Sequence, residues 1–271
     1  MNGLLELLVD GAPGNATWPL DRGLQYGDGL FETMRVQGGR VLLLDLHRSR
    51  LAEGCRRLFL HADEAQIWNQ VEAVAARHER ALLRLQVTRG ESLMRGYGFT
   101  GHEHARWFLA IFEAPRHEPM PVPMRVCTLP NRLGENTALA GLKHCSRLEQ
   151  VLARQAMVGS NAFEGLLASS SGLLISGTMS NVFIELDGEI VTPALDRCGV
   201  AGVMRAAVLR EAGRAGIELH VTDVPFESLA RVTALALSNA RMGLVIADEL
   251  DGRALARSAR FEQLAALVSA A

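Results

Sequence analysis

Apolar positions along the chain switch between a spacing of two and a spacing of three to four, and the switches mark out the elements. Leu4 to Val9 is apolar enough for a first strand, and Asp10-Gly-Ala-Pro-Gly-Asn-Ala16 then reads as a turn. Leu30 to Val36 alternates as a strand, with Gly38-Gly39 as a hairpin turn into Arg40 to Leu44. His47 to about Leu60 and Glu64 to Glu79 read as helices, the second with Ile67, Val71 and Val74 at core spacing. Arg80 to Thr88 and Arg106 to Glu113 read as strands on either side of a long loop, Arg89 to Gly98. The pattern then breaks: Ala114 to Pro123 holds four prolines in ten residues and has no core periodicity. Beyond it, Met124 to Leu129 reads as a strand and Cys145 to Met157 as a helix. The strands Glu164 to Ala168, Gly172 to Ser176 and Val182 to Leu186 follow, with Asp187-Gly188 as a hairpin to Glu189 to Thr192. A helix from Met204 to Ala215, an apolar strand Val232 to Leu237 and an amphipathic helix Phe261 to Ala271 complete the chain. Strands and helices are interspersed, so the expected class is α/β (α+β). The expected domains are residues 1–115 and 124–271, joined by a proline-rich linker at 116–123.

Composition narrows the functional classes. The 271 residues are 48% apolar and 21% charged, an ordinary globular balance. A formal charge of -2 gives no global pull toward nucleic acid or an anionic membrane, so neither is expected as a partner. The N-terminal run has no basic segment and contains Glu6, which reads as a strand rather than a signal peptide, and no apolar run reaches membrane-spanning length. The expected location is cytoplasmic. Cys55, Cys127, Cys145 and Cys198 are far apart with no CxxC pair, so zinc-ligand spacing is missing and disulfides are not expected. His102-Glu-His104 reads as a polar turn rather than a metal site.

Five features carry candidate chemistry. Lys143 lies where an irregular stretch, Leu129 to Gly141, delivers the chain into a helical run, a setting that suits a Schiff-base lysine able to move protons once released. Arg50, on an early helix beside Arg48, Arg56 and Arg57, is a candidate anion ligand. Gly199-Val-Ala-Gly-Val-Met-Arg205 opens a helix whose first N–H groups can meet an anion, with Val203 and Met204 at its start. Ser176-Gly-Thr-Met-Ser-Asn-Val-Phe183 offers Ser176 and Asn181 as polar partners for a ring or as turn formers. Arg95 and Tyr97, in the loop after Thr88, can meet a carboxylate. A phosphorylated aldehyde cofactor held through a Schiff base would use the first four together, which points to pyridoxal 5'-phosphate.

The segments Asp21 to Arg35, His47-Arg-Ser-Arg-Leu51, Val87 to Tyr97, Leu139 to Ala153, Gly177-Thr-Met-Ser-Asn-Val-Phe183 and Gly199 to Arg205 resemble, in order and spacing, those of the fold-type IV pyridoxal-phosphate enzymes. The resemblance covers nearly the whole chain. It implies a small N-terminal α/β domain, a larger C-terminal β-barrel-like domain with helices, and a homodimer acting on a small molecule. It further implies Lys143 as the Schiff-base lysine, Arg50 with the Val203 and Met204 amides as phosphate ligands, and Arg95 and Tyr97 as residues near a substrate carboxylate. The Lys143 segment is most like that of members that convert 4-amino-4-deoxychorismate to 4-aminobenzoate and pyruvate in folate biosynthesis. A D-amino-acid or branched-chain aminotransferase and a non-catalytic dimeric ligand-binding relative are the alternatives. Where the family usually has glutamate against the pyridine nitrogen, this chain has Ser176. A hydroxyl leaves that nitrogen largely neutral, which favours an elimination that is driven by aromatisation over transamination.

Overall fold

A computed structural model describes residues 4–13, 20–92, 94, 96–115 and 120–270. The chain divides into two units, Met1–Glu118 with Leu142–Ser146, and Pro119–Gly141 with Arg147–Ala271. Residues 116–119 of the proline-rich stretch, Arg95, and the final Ala271 lie outside the described residues.

The first unit contains β1 (Leu4–Val9), β2 (Ala12–Pro13), α1 (Arg22–Tyr26), β3 (Gly29–Gln37), β4 (Arg40–Val41), α2 (Leu44–Leu58), α3 (Glu64–Ala75), β5 (Arg80–Thr88) and β6 (Arg106–Glu113). The strands form one antiparallel sheet in the order β2-β1-β6-β5-β3-β4. Alternation puts Leu30, Met34 and Val36 of β3 and Leu83, Leu85 and Val87 of β5 in one buried core, which α2 and α3 complete with Leu51, Cys55, Ile67 and Val71. Asp63 caps α3 by accepting from the Gln66 amide at 2.9 Å. Arg89 closes α2 from outside, donating to the carbonyls of Leu58 and Phe59 at 2.7 and 2.8 Å.

The segment Leu142–Ser146 returns to this unit as extended chain. The Phe31 amide donates to the Lys143 carbonyl at 3.0 Å, the Cys145 amide to the Gly29 carbonyl at 2.9 Å, and Leu30 and His144 form an antiparallel bridge. The helix expected from Cys145 therefore starts only at Leu148: backbone groups of residues 143 to 145 are engaged by β3 and cannot join a helical ladder.

The second unit contains β7 (Arg125–Leu133), α4 (Leu148–Ala156), β8 (Glu164–Ser169), β9 (Leu174–Gly177), β10 (Asn181–Leu186), β11 (Glu189–Pro193), α5 (Val203–Ala215), β12 (His220–Thr222), β13 (Ala234–Asn239), β14 (Gly243–Ile246), β15 (Glu249–Leu250), β16 (Arg253–Ala254) and α6 (Ala259–Ala270). Its strands form two five-stranded sheets, β12-β11-β10-β13-β14 and β16-β15-β7-β8-β9. Leu166, Leu174, Val182, Ile184, Leu235 and Leu237 belong to a shared core of the two sheets. Strand β8 is buried along its whole length, which is why its sequence reads as a continuous apolar run after Glu164. Among the described residues, no helix is long and apolar enough to cross a membrane and no group of three or more His, Cys, Asp or Glu could hold a metal ion. In the turn carrying His102 and His104, Glu103 accepts from the amides of Thr100 and Gly101 at 2.7 and 3.0 Å.

Candidate functional site

The residues singled out from the sequence fall into two sets, one in each unit. In the first unit, the pairing of residues 143 to 145 with β3 fixes the backbone of Lys143 and projects its side chain onto Phe31. The Lys143 Nζ lies 4.1 Å from the Phe31 ring centroid, and the Arg84 guanidinium carbon lies 4.5 Å from the same centroid. Lys143 is also the chain's one lysine, a fact that the sequence holds plainly.

The next residue on β3, Glu32, points into the core side and is 1% exposed. Its carboxylate accepts from Arg50 Nε at 2.7 Å, from Arg50 Nη2, and from His47 Nδ1 at 2.6 Å. Burial alone would raise the Glu32 carboxyl, but the Arg50 charge and the His47 and Arg50 hydrogen bonds outweigh it and hold it at about 2. An ionised Glu32 only accepts, so His47 carries its proton on Nδ1. Arg50, the predicted anion ligand, is thus locked on one edge by a bidentate pair.

A second network centres on the half-buried Asp28. Asp28 accepts from Arg22 Nε at 2.9 Å and from Arg89 Nε and Nη2 at 2.7 and 3.0 Å. Burial works to raise the Asp28 carboxyl, and the bonds and charges of Arg89 and Arg22 overcome it and hold it below the usual carboxylate range. The remaining donors of Arg22 reach the carbonyls of Gly96, Tyr97 and Gly98 at 3.2, 3.0 and 3.1 Å. Tyr97 is therefore held by its backbone while its side chain is 84% exposed, with its ring edge-on to Tyr26 at 5.4 Å.

In the second unit, the turn from β9 to β10 is built on Glu164. This carboxylate, 0% exposed, accepts from the Thr178 amide at 3.0 Å and the Thr178 hydroxyl, and from the Met179 amide and Ser180 hydroxyl at 3.2 and 2.8 Å. A Cβ on Gly177 would lie 2.7 Å from Glu164 Oε2, so only glycine lets the carboxylate approach the turn. Ser176 ends β9, almost buried, and Asn181 begins β10. The Asn181 amide donates to the Val200 carbonyl at 2.8 Å, and its oxygen accepts from the Gly202 amide at 3.1 Å.

Those bonds fix the start of α5. Gly202 precedes the helix with no side-chain cap, and the amides of Val203, Met204 and Arg205 are the first-turn donors that a helix leaves unpaired. Arg205 adds a positive charge there, donating to Thr192 Oγ1 and the Pro193 carbonyl at 3.3 and 3.0 Å, and burial lowers its pKa. Ser238, opposite Asn181 in the β10–β13 pairing, has a buried hydroxyl with no hydrogen-bond partner among the described residues. First-turn amides at a helix start and a nearby guanidinium are donors of the kind that can meet an anion.

Sequence reasoning missed Phe31, Glu32, Arg84 and Glu164. Glu32 had a signal: it breaks the apolar alternation of Leu30, Met34 and Val36, and a charge at a core position implies a buried partner. Glu164 had a weaker one, a carboxylate heading an apolar run.

The mixed α/β architecture thus holds a solitary lysine paired with a strand in one unit and an uncapped helix start in the other. The chain belongs to the amino-transferase class IV family, whose model matches residues 29–250. A solved 4-amino-4-deoxychorismate lyase from Pseudomonas aeruginosa is 38% identical, with a TM-score of 0.88, and the match covers 95% of this chain and 96% of that one. The aminodeoxychorismate lyase of Vibrio harveyi is 30% identical over 241 residues, 87% of this chain and 88% of that protein. The D-alanine aminotransferase of Bacillus licheniformis is 25% identical over 246 residues, 88% of this chain and 84% of that protein.

Proposed function

We propose that this chain is a pyridoxal 5'-phosphate enzyme that converts 4-amino-4-deoxychorismate to 4-aminobenzoate and pyruvate, a step of folate biosynthesis, and that it works as a homodimer in the cytoplasm. The observation that carries this reading is the single lysine, Lys143, with its backbone held by β3 and its amine over Phe31. The lyases of Pseudomonas aeruginosa and Vibrio harveyi, similar over nearly their whole length, support the choice of reaction. Pyridoxal phosphate supplies an aldehyde that condenses with amines and a ring that withdraws electrons from the attached carbon.

The residues then divide the work. Lys143 is the covalent anchor. Arg50, pre-oriented by Glu32, and the Val203 and Met204 amides hold the phosphate. Ser176 and Asn181 border the ring, with Asn181 acting through the Gly202 amide. With its amine free, Lys143 Nζ would take the proton from the substrate ring carbon that bears the nitrogen. The bond from the neighbouring carbon to the enolpyruvyl oxygen breaks, that group leaves as enolpyruvate, and a proton returned to its methylene carbon gives pyruvate. The six-membered ring becomes aromatic, which lowers the demand on a cofactor partnered by a neutral Ser176 hydroxyl. Arg95 and Tyr97 are assigned to a substrate carboxylate, with Tyr97 kept in place by Arg22 through its backbone.

A second reading, an aminotransferase, is favoured by the likeness to the Bacillus licheniformis enzyme. One pair of assays separates them. Pyruvate release from 4-amino-4-deoxychorismate, followed by its reduction with lactate dehydrogenase, is expected to match 4-aminobenzoate formation one for one. Conversion of the cofactor absorbance to that of the amine form by D-alanine or L-leucine, without pyruvate release from 4-amino-4-deoxychorismate, would instead establish the transaminase.

A further inference from the structure

Cys145 stands two residues from Lys143 on the stretch that pairs with β3. The Phe31 amide donates to the Lys143 carbonyl, the Cys145 amide donates to the Gly29 carbonyl, and the bridge between them joins Leu30 to His144. That pattern sets the side-chain directions. Residues of a bridged pair share one face, and Leu30 lies in the core of the first unit. Alternation puts Lys143 and Cys145 on the other face together with Phe31, over whose ring the Lys143 Nζ lies at 4.1 Å. Two residues of extended chain advance about 6–7 Å, a gap that the long stem of a lysine spans. Opposite Cys145 stands Gly29, which has no side chain to cover the thiol.

The thiols of the chain differ in setting. Burial pushes Cys55 up to about 12 and Cys198 up to about 11, and it raises Cys127 as well. Thiols so shifted hold little thiolate at neutral pH. Cys145 is half-buried and has the chain's one lysine as its same-face neighbour. An oxidised sulfur at this place meets a nitrogen nucleophile on its own stretch of chain.

We propose that Cys145 and Lys143 are an amine–thiol pair that a peroxide couples reversibly, and that the coupled form cannot take an aldehyde. Hydrogen peroxide transfers one oxygen to the thiol: the sulfur loses two electrons, the O–O bond takes them and breaks, and water leaves. The Lys143 nitrogen then attacks that sulfur, an S–N bond forms, the S–O bond breaks, and a second water leaves with a proton from the nitrogen. An external thiol reverses the step. It attacks the sulfur, the S–N bond breaks, the amine regains its proton, and a second thiol resolves the mixed disulfide. The consequence for the cofactor rests on Lys143 as the aldehyde-reacting residue, whereas the bond itself needs only the pair.

The test treats the full chain, cofactor-free or loaded with pyridoxal phosphate, with hydrogen peroxide and maps tryptic peptides without reductant. The cofactor-free wild type is expected to lose cleavage after Lys143 and to give a joined peptide lighter by two hydrogen atoms, and dithiothreitol should restore both. The loaded chain should stay unlinked. Borohydride-fixed uptake of pyridoxal phosphate should be lost after peroxide and return with dithiothreitol. In Cys145→Ser and Cys145→Ala, peroxide should leave that uptake unchanged. o-Phthalaldehyde joins an adjacent amine and thiol into a fluorescent isoindole and needs no oxidant. It should label the Lys143 peptide of the cofactor-free wild type and leave that of Cys145→Ser dark. Oxidised Cys145 with Lys143 still cleavable, no isoindole in the wild type, or equal loss of uptake in Cys145→Ser overturns the proposal and leaves Lys143 as the cofactor lysine. The expected linkage in a chain that releases no pyruvate from 4-amino-4-deoxychorismate would keep the pair and remove the lyase.

Discussion

Glu32 occupies a place that the alternation of β3 reserves for apolar side chains, and its neighbours Arg50 and His47 decide its state. Replacing it with glutamine leaves Arg50 buried against a neutral partner, and breaking such a pair costs about 3–5 kcal/mol. Chemical denaturation of Glu32→Gln is expected to register that loss, accompanied by weaker retention of pyridoxal phosphate through a loosened Arg50. The pH dependence follows from a carboxyl that falls from an ordinary 4.5 to about 2 on folding. A depressed pKa contributes stability in full above the unfolded value and loses it as pH falls toward the folded one. The melting temperature of the wild type should therefore drop between about pH 4.5 and pH 2 more steeply than that of Glu32→Gln. Lys143 and Arg50 each give only a weak signal by type and setting and become candidates only beside the other segments; that Lys143 is the chain's one lysine is the stronger sign in the sequence. The part played by Glu164 was not legible, because the groups that its carboxylate accepts from lie 14 to 16 residues away.

Element boundaries record the same competition between local and distant contacts. The helical pattern from Cys145 is real, yet β3 claims the backbone of residues 143 to 145 and α4 begins at Leu148. No single-segment pattern could reveal this, since the competing donors and acceptors belong to residues 29 to 31. The start of α5 was readable from Gly202 and the helical run behind it, and the structure adds the reason for glycine. A Cβ at Gly202 would lie 2.1 Å from Asn181 Oδ1. Gly202→Ala should push Asn181 off the Gly202 amide and tilt the first-turn donors, and equilibrium dialysis should find pyridoxal phosphate bound about ten-fold more weakly, the cost of roughly one good hydrogen bond to a charged group. The loop after β5 is the third case. Its attachment depends on Asp28, which keeps Arg22 and Arg89 in place. Asp28→Asn leaves two buried arginines short of a counter-charge, so urea unfolding should show about 3–5 kcal/mol lost. Faster amide exchange at Gly96 to Gly98 is expected with it, because Arg22 holds those carbonyls.

At the scale of the whole molecule, the assignment of Leu142–Ser146 to the first unit was not readable from composition. Those five residues, which pair with β3 inside the first unit, carry Lys143. A molecule with one lysine also makes its covalent chemistry unusually easy to read, since no other side-chain amine competes for an aldehyde. The most direct measurement is borohydride reduction of the protein loaded with pyridoxal phosphate, followed by proteolysis and peptide mapping by mass spectrometry. The account predicts one pyridoxyl group per chain, on the peptide containing Lys143, and none in Lys143→Ala. Recovery of an unmodified Lys143 peptide from the reduced protein would contradict it.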